Sequence, residues 1–375
     1  MKKLIFIKKR FSIYGGGENY MKTLIDRLRA DHEITVFSNK WTAADGIGFE
    51  HIPISSSGSF LSTATFNRNV CKRVERAKAD CTISFERTTC QDIYRAGEGC
   101  HAEWLEIRSR TEPLFKRLSF KANPLHILLL NLERDFFSNT KHIVANSKMV
   151  KDHIIKHYAV PGERIAVIYN GVDLLRFTPE NKERWKEEVR ESLSVPKDAK
   201  LLLFVGSGFK RKGLKTLIES IPFMRRSDTR VLVIGKGDSS AYRSLAEQHN
   251  AGDRIIFLEP RKDIERLYAA ADLFVLPTLY DPFSNATLEA MAAGVPVVTS
   301  GNNGVAELVE DGREGFIIND PLDTKGLAEK AALCLDNTAS MGAKAREKAE
   351  GFSIERAASA FAETVKQVTD LKGAA

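Results

Sequence analysis

No apolar run in this chain of 375 residues is long enough to cross a bilayer. A spanning helix needs ~18–20 apolar residues, and the longest candidate, Leu125-His126-Ile127-Leu128-Leu129-Leu130, stops at Asn131. The opening Met1-Lys2-Lys3-Leu4-Ile5-Phe6-Ile7-Lys8 has too short an apolar part for a signal-peptide core and reads as a buried first strand, so a cytoplasmic protein is expected. Cysteine is scarce: Cys71, Cys81, Cys90, Cys100 and Cys334 form no C-x-x-C pair and match no zinc-site spacing, so free buried thiols are expected. No D-x-D occurs to hold a divalent ion on paired carboxylates. What is present is ordinary for a globular protein: 43% hydrophobic, 28% charged, 25 Gly and 12 Pro, which excludes collagen-like and low-complexity chains. The length suits two domains of roughly 170–200 residues. A net charge of +7 asks for an anionic partner: nucleic acid, an anionic membrane surface or a phosphorylated substrate.

Short apolar runs alternate with helical patterns along most of the chain. In the first half the strand candidates are Leu4–Lys8, Glu33–Ser38, Glu50–Ile54, Cys81–Phe85, His142–Ala145 and Arg164–Tyr169. Helical patterns cover Asn19–Arg29, the segment around Thr65–Lys78 and the stretch Ala102–Asn139. The second half is cleaner, with Leu201–Val205, Arg230–Ile234, Arg254–Leu258, Leu273–Leu276, Val295–Thr299 and Gly315–Ile318. Strands alternating with helices imply βαβ units and parallel sheets covered on both faces. The fold class is therefore α/β, with two Rossmann-like domains facing one another across a cleft. The expected domains are residues 1–170 with the C-terminal helix 353–375 crossing back to them, and residues 171–352. In such sheets ligands bind beyond the carboxyl ends of the strands, so the loops that follow strands are the places to look for chemistry.

Three such loops stand out. Ile13-Tyr14-Gly15-Gly16-Gly17-Glu18-Asn19 follows the first strand and lets backbone amides approach an anion at a helix start, although it is not G-x-G-x-x-G. A turn with no ligand would look the same. Val205-Gly206-Ser207-Gly208-Phe209-Lys210-Arg211-Lys212-Gly213 is no Walker A sequence, but its glycines, serine and three cations suit a diphosphate. A solvated basic loop is the alternative. The third, Asp281-Pro282-Phe283-Ser284-Asn285-Ala286-Thr287-Leu288-Glu289, sets one carboxylate before a helix and another on its second turn. A carboxylate at a helix start is often only a cap. Here small residues between the two acids leave room for a phosphate, and the acids accept hydrogen bonds from hydroxyls on either side. A sugar nucleotide offers hydroxyls, diphosphate and hydroxyls in that order.

The spacing Asp281-x-Phe283-x-x-x-x-x-Glu289 resembles the E-x7-E motif of retaining GT-B glycosyltransferases, specifically family 4. Asn170-Gly171-Val172-Asp173 with Phe177, the Gly206–Gly213 loop and Ala292-Ala293-Gly294-Val295-Pro296-Val297-Val298 match the same family in order. Within it, Asp92-Ile93-Tyr94-Arg95-Ala96-Gly97-Glu98 before Cys100 is similar to the lipopolysaccharide-core glucosyltransferases. The resemblance implies hexose transfer from a nucleotide-diphosphate sugar, a UDP-hexose such as UDP-glucose, with no cofactor beyond that substrate. Arg211 and Lys212 would then hold the diphosphate within the loop that includes Ser207. Glu289 would bind the ribose hydroxyls, Arg261 would lie beside the base, and Asp281 would hold hydroxyls of the transferred sugar. Amides at Ala286 and Thr287 would support sugar or phosphate, with Gly16 and Gly17 closing over the donor. Two positions depart from the pattern: Asp281 stands where Glu is usual, and Ser284 where Gly is frequent.

Chemistry argues the same way from the residues. Breaking a glycosyl–phosphate bond builds charge on the diphosphate, and without D-x-D fixed cations must offset it; Lys212 and Arg211 are the candidates, with metal none. If the leaving phosphate takes the acceptor's proton, no carboxylate nucleophile is required. Glu98 and His101 lie on the acceptor side, either orienting a sugar or as plain structural residues. Arg108, Arg110, Lys116, Arg117, Lys121 and Arg134 interleave with Trp104, Leu105, Leu114, Phe115, Leu118, Phe120 and Leu125, the pattern of a membrane-surface segment or of a helix packed on its own domain. Residues 102–137 are thus expected to dock on an anionic surface at the cytoplasmic face of the inner membrane, where a lipid-linked or lipopolysaccharide-core acceptor would wait. A sugar-nucleotide epimerase of the same architecture is the enzymatic alternative. Nucleic-acid binding is disfavoured, because the cations form no stripe and no recognition motif is present.

Overall fold

The computed structural model describes residues 1–10, 16–40, 46–224 and 226–373, with backbone alone at residues 16–19, Phe115, Leu118 and Gly373. Ile13, Tyr14 and Gly15 of the first glycine loop lie outside the described residues. The chain divides into two compact units, Met1–Asn170 with Glu355–Ala375, and Gly171–Ile354.

The first unit runs β1 (Lys2–Ile7), α1 (Gly16–Leu28), β2 (His32–Ser38), β3 (Gly48–His51), α2 (Gly58–Ala77), β4 (Cys81–Ser84) and β5 (Ile93–Ala96). Three helices follow, α3 (His101–Thr111), α4 (Leu114–Ala122) and α5 (Pro124–Asn139), then β6 (His142–Ala145), α6 (Lys148–Tyr158) and β7 (Ile165–Val167). Its seven strands are ordered β3-β2-β1-β4-β5-β6-β7, all parallel. Parallel neighbours need crossovers, which is why each strand is followed by a helix or a long loop. Leu4–Ile7 form a continuous buried run, as a strand covered on both faces should. Phe66 and Val70, one turn apart on α2, pack onto Ile5, Ile7 and Phe37. Farther along the same face Leu132, Phe136 and Phe137 of α5 meet Tyr94 and Ile143.

The second unit runs α7 (Asn181–Ser192), β8 (Lys200–Val205), α8 (Phe209–Lys212), α9 (Leu214–Ser220), β9 (Thr229–Ile234), α10 (Ser240–Gln248) and β10 (Ile255–Leu258). It continues through α11 (Ile264–Ala270), β11 (Leu273–Leu276), α12 (Asn285–Ala292), β12 (Val297–Ser300), β13 (Gly315–Ile318), α13 (Thr324–Asp336) and α14 (Thr338–Glu350). Its parallel six-stranded sheet has the order β10-β9-β8-β11-β12-β13. The last helix, α15 (Ile354–Gly373), packs on the first unit. There Phe361 stacks on Phe85 at 6.0 Å and meets Tyr20 edge-on, while Lys372 pairs with Asp92 at 2.6 Å.

Both sheets are the parallel, helix-covered layers that the strand pattern implies, and together they are the two Rossmann-like domains of a GT-B fold. Three readings change. Ile93–Ala96 is a strand that the apolar pattern does not reveal, because Arg95 interrupts it. That arginine is buried, with its guanidinium over the Tyr20 ring and bonded to Val144 O and Asn170 Oδ1. The single amphipathic stretch is three helices separated at Pro113 and Pro124, as proline in a first turn allows. Lastly, Cys71 and Cys90 are not free: α2 and the β4–β5 loop bring their Cα atoms to 5.4 Å and the two form a disulfide, leaving Cys81, Cys100 and Cys334 as buried thiols. Among the described residues no helix is long and apolar enough to cross a membrane.

Candidate active site

The β8 turn is built to hold cations at the carboxyl end of a strand. Gly208 and Gly213 both adopt left-handed backbone, φ 75° and 80°, bracketing the short helix α8. At Gly213 a Cβ would come 1.9 Å from Pro277 O, so only glycine lets this turn press against the end of β11. The two loops are then tied together. Leu279 N and Thr278 Oγ1 both donate to Arg211 O, at 2.8 and 2.9 Å. The Arg211 guanidinium donates to Tyr280 O at 2.7 Å. Lys212 forms a hydrogen-bonded ion pair with Asp281, with only 11% and 8% of their side chains exposed. The aliphatic stem of Lys212 lies over Gly206, where a Cβ would meet its Cγ at 3.1 Å. Ser207 Oγ accepts from Lys236 N at 3.1 Å, joining this turn to the one after β9.

Asp281 is fixed by its backbone. Its N–H donates to Asn302 O and its carbonyl accepts from Gly304 N, both at 2.9 Å. Ser284 caps α12: its Oγ accepts from Thr287 N at 3.3 Å, so the Thr287 amide is engaged within the helix start. Asn303 is buried beneath this turn and uses all four of its side-chain hydrogen-bonding positions. It accepts from Ser284 N and Val305 N, and donates to Thr287 Oγ1 and Thr299 Oγ1.

Glu289, on the second turn, accepts from the buried Tyr268 hydroxyl at 2.9 Å. Burial pushes its carboxyl up; the Tyr268 bond and the Arg176 charge pull the other way without reversing the shift. Tyr268 also lies 3.0 Å from Ala286 O, so one hydroxyl braces both turns of α12. Neither Tyr268 nor Asn303 stands out in the sequence. The one available signal is that a tyrosine buried in an apolar helix must find a partner for its hydroxyl.

The remaining candidates lie on other elements. Arg261, after β10, is exposed and forms a two-pronged pair with Asp263 at 2.9 and 2.7 Å. Gly16 and Gly17 open α1 in the first unit. Glu98, after β5, pairs with Arg87, which also bonds Glu133 at 3.2 Å. Burial opposes the Glu98 charge, but Arg87, Lys8 and Lys9 outweigh it and hold the carboxyl below the ordinary range. Glu133 is fully buried and accepts from His101 N at 2.7 Å, Ala102 N at 3.3 Å and Tyr158 OH at 2.6 Å. His101 itself turns inward to His126 at 3.0 Å; burial, then the Arg87 charge, lowers its imidazole to about 3. Glu103, Glu106 and His157 bring ligand atoms within 4.8 Å of one another, but the cation among them is Lys156, 2.8 Å from each carboxylate.

The chain matches two family models in succession, "Glycosyltransferase Family 4" over residues 14–176 and "Glycosyl transferases group 1" over residues 185–352. It is 30% identical over 386 residues to spore coat protein SA of Bacillus subtilis, covering 93% of this chain and 92% of that protein. The chain belongs to the family 4 glycosyltransferases. It is an enzyme of that family, a hexosyltransferase. This family 4 glycosyltransferase is also 26% identical to the lipopolysaccharide glucosyltransferase WaaG of Escherichia coli, over 86% of each chain. The crystal structure of WaaG superposes with a TM-score of 0.84 at 23% identity, covering 96% of this chain and 99% of that one. Anabaena HepE in complex with UDP-glucose gives 0.72 at 20% identity, over 98% and 100%.

Proposed function

We propose that this family 4 glycosyltransferase moves a hexose from a UDP-hexose, with retention and without a metal ion, to a sugar of the lipopolysaccharide core or a similar lipid-linked glycan. The observation that carries the reading is the meeting of Lys212 and Asp281 at the carboxyl ends of β8 and β11, on the helix turn that leads to Glu289. One polar ligand with hydroxyls at both ends and a diphosphate between them fits that order of charges. WaaG, a lipopolysaccharide glucosyltransferase, and HepE, solved with UDP-glucose, support the donor class and the acceptor.

Lys212 and Arg211 take the diphosphate, Glu289 the ribose hydroxyls and Asp281 the hydroxyls of the hexose; Arg261 stands at the base, and Ser207 with the α12 turn completes the phosphate loop. In transfer the bond from the anomeric carbon to the phosphate oxygen breaks as the acceptor oxygen bonds to the same face. The acceptor proton passes to the departing phosphate, and the two cations offset its growing charge. The first unit takes the acceptor, with Glu98 on its rim. Its helices α4 and α5 expose Leu114 and Ile127 among cations and dock on an anionic leaflet. Incubation with radiolabelled UDP-hexoses and lipopolysaccharide-core acceptors, with and without EDTA, tests the reaction. Label in the acceptor with retained configuration supports it, and isomerised nucleotide sugar without transfer overturns it. Salt-sensitive pelleting with anionic but not neutral vesicles is the expected membrane result, and equal pelleting with both overturns that part.

A further inference from the structure

Lys212 and Asp281 are assigned to different parts of the donor, yet the two side chains are bonded to each other. While that pair holds, one N–H of the ammonium and one carboxylate oxygen are spent on each other and not on a ligand. We propose that the pair is a latch that tells a complete nucleotide sugar from a bare nucleotide diphosphate; this rests on the donor reading above.

Three features confine the exchange. Asp281 cannot retreat toward solvent, because its N–H and carbonyl are held by Asn302 and Gly304 at 2.9 Å and its residue is buried. Its carboxylate faces Lys212. Being one methylene shorter than glutamate, it has less freedom to reach a third partner. Lys212 is held at its base, where its N–H donates to Gly208 O at 3.2 Å, and its stem rests on Gly206. Rotation about the outer bonds of the side chain can carry the ammonium from the acid to a phosphate without moving the loop. The Arg211 guanidinium donates to Tyr280 O at 2.7 Å, while the acid beside it pairs with Lys212.

A buried ion pair broken on one side leaves an uncompensated charge, which is far more costly than losing an exposed pair. A UDP-hexose repairs both sides at once, phosphate for Lys212 and sugar hydroxyls for Asp281. UDP repairs only one. If Lys212 turns to the phosphate, Asp281 is stranded with 8% of its side chain exposed; if it stays, acid and phosphate must share its ammonium and Arg211 carries more of the phosphate charge. The sugar is thus read through the phosphate grip, and once the hexose has left, re-forming the pair helps to expel UDP.

The test is calorimetric titration of the full chain with UDP and with the tightest binder from a panel of UDP-glucose, UDP-galactose and UDP-N-acetylglucosamine. Wild type is expected to prefer the UDP-hexose by at least tenfold. In Asp281→Asn, Lys212 is freed, so UDP should bind about tenfold more tightly than to wild type while the UDP-hexose gains nothing, and the preference collapses. Asp281→Ser serves the same purpose should the asparagine variant not fold. Unchanged or weaker UDP binding in the folded variant overturns the latch and leaves the donor reading intact. Failure of wild type to bind any of these nucleotides overturns both.

Discussion

The two units carry their charges in opposite ways. In the second unit a lysine and an aspartate meet beyond the strand ends and have no partner more permanent than each other. In the first unit the acid at the centre, Glu133, is fully buried and receives Arg87, Tyr158 and the two amides that begin α3. Each bond there joins two elements of the fold: Arg87 comes from the β4–β5 loop, Tyr158 from the end of α6, and the acid itself from α5. On the proposed reading the first arrangement is a ligand-binding pair, and the second is a structural joint. Closeness of charge alone does not mark an active site; what matters is whether each group is already saturated.

This contrast can be broken by substitution. Removing the Glu133 carboxylate strands a buried guanidinium, a hydroxyl and helix amides, and breaking a buried pair on one side costs about 3–5 kcal/mol. Glu133→Ala should therefore lower the unfolding free energy of the chain by about that much, read by denaturant unfolding, while UDP-hexose affinity of the folded fraction stays within about twofold. A large change in donor affinity would show that Glu133 is part of the site. Lys212→Ala should act chiefly on turnover. Loss of one donor aimed at developing charge costs roughly 100- to 1,000-fold in rate. Single-turnover transfer should fall by that factor, with much smaller effects on donor affinity.

The inward-facing His101 gives a pH dependence that belongs to the first unit alone. Its folded value of about 3 lies below the ordinary imidazole value of ~6.5. Below pH ~6.5 the unfolded chain binds a proton that the folded chain refuses, so stability is present above that pH and is lost as pH falls toward 3. The slope attributable to this group is at most about 1.4 kcal/mol per pH unit. Unfolding measured from pH 7 to pH 5 should show it, and His101→Gln should flatten it; an unchanged slope would contradict the assignment. A smaller effect is expected at Tyr268. Tyr268→Phe removes the bond that holds the Glu289 carboxylate down, so burial raises that group further. Donor affinity should fall about tenfold, equivalent to ~1.4 kcal/mol for one charged hydrogen bond, and the acid limb of the binding profile should shift to higher pH. A tenfold loss with no shift would leave Tyr268 a packing residue.

Much of the second unit was legible in advance. All six of its strands are apolar runs closed by glycine, proline or polar residues, and Gly206–Gly213 and Asp281–Glu289 fall on the loops beyond β8 and β11. The pairing of Lys212 with Asp281 was not legible, because it depends on how closely Gly213 lets two loops approach. The first unit was harder to read. Its fifth strand hides a buried arginine, its basic stretch spends several cations on local partners such as Glu106 and Glu112, and Cys71 meets Cys90 only once α2 lies on the sheet. Period and spacing report burial and turns. They do not report which polar groups will saturate one another across the fold.

The account stands most directly on whether the Asp281–Glu289 turn binds a nucleotide sugar. Calorimetric titration of UDP-hexose into the chain, in EDTA, measures it. One saturable site is predicted in the wild type, with binding lost in Glu289→Ala while the variant remains folded. Binding that survives Glu289→Ala, or that requires a divalent ion, would contradict the account.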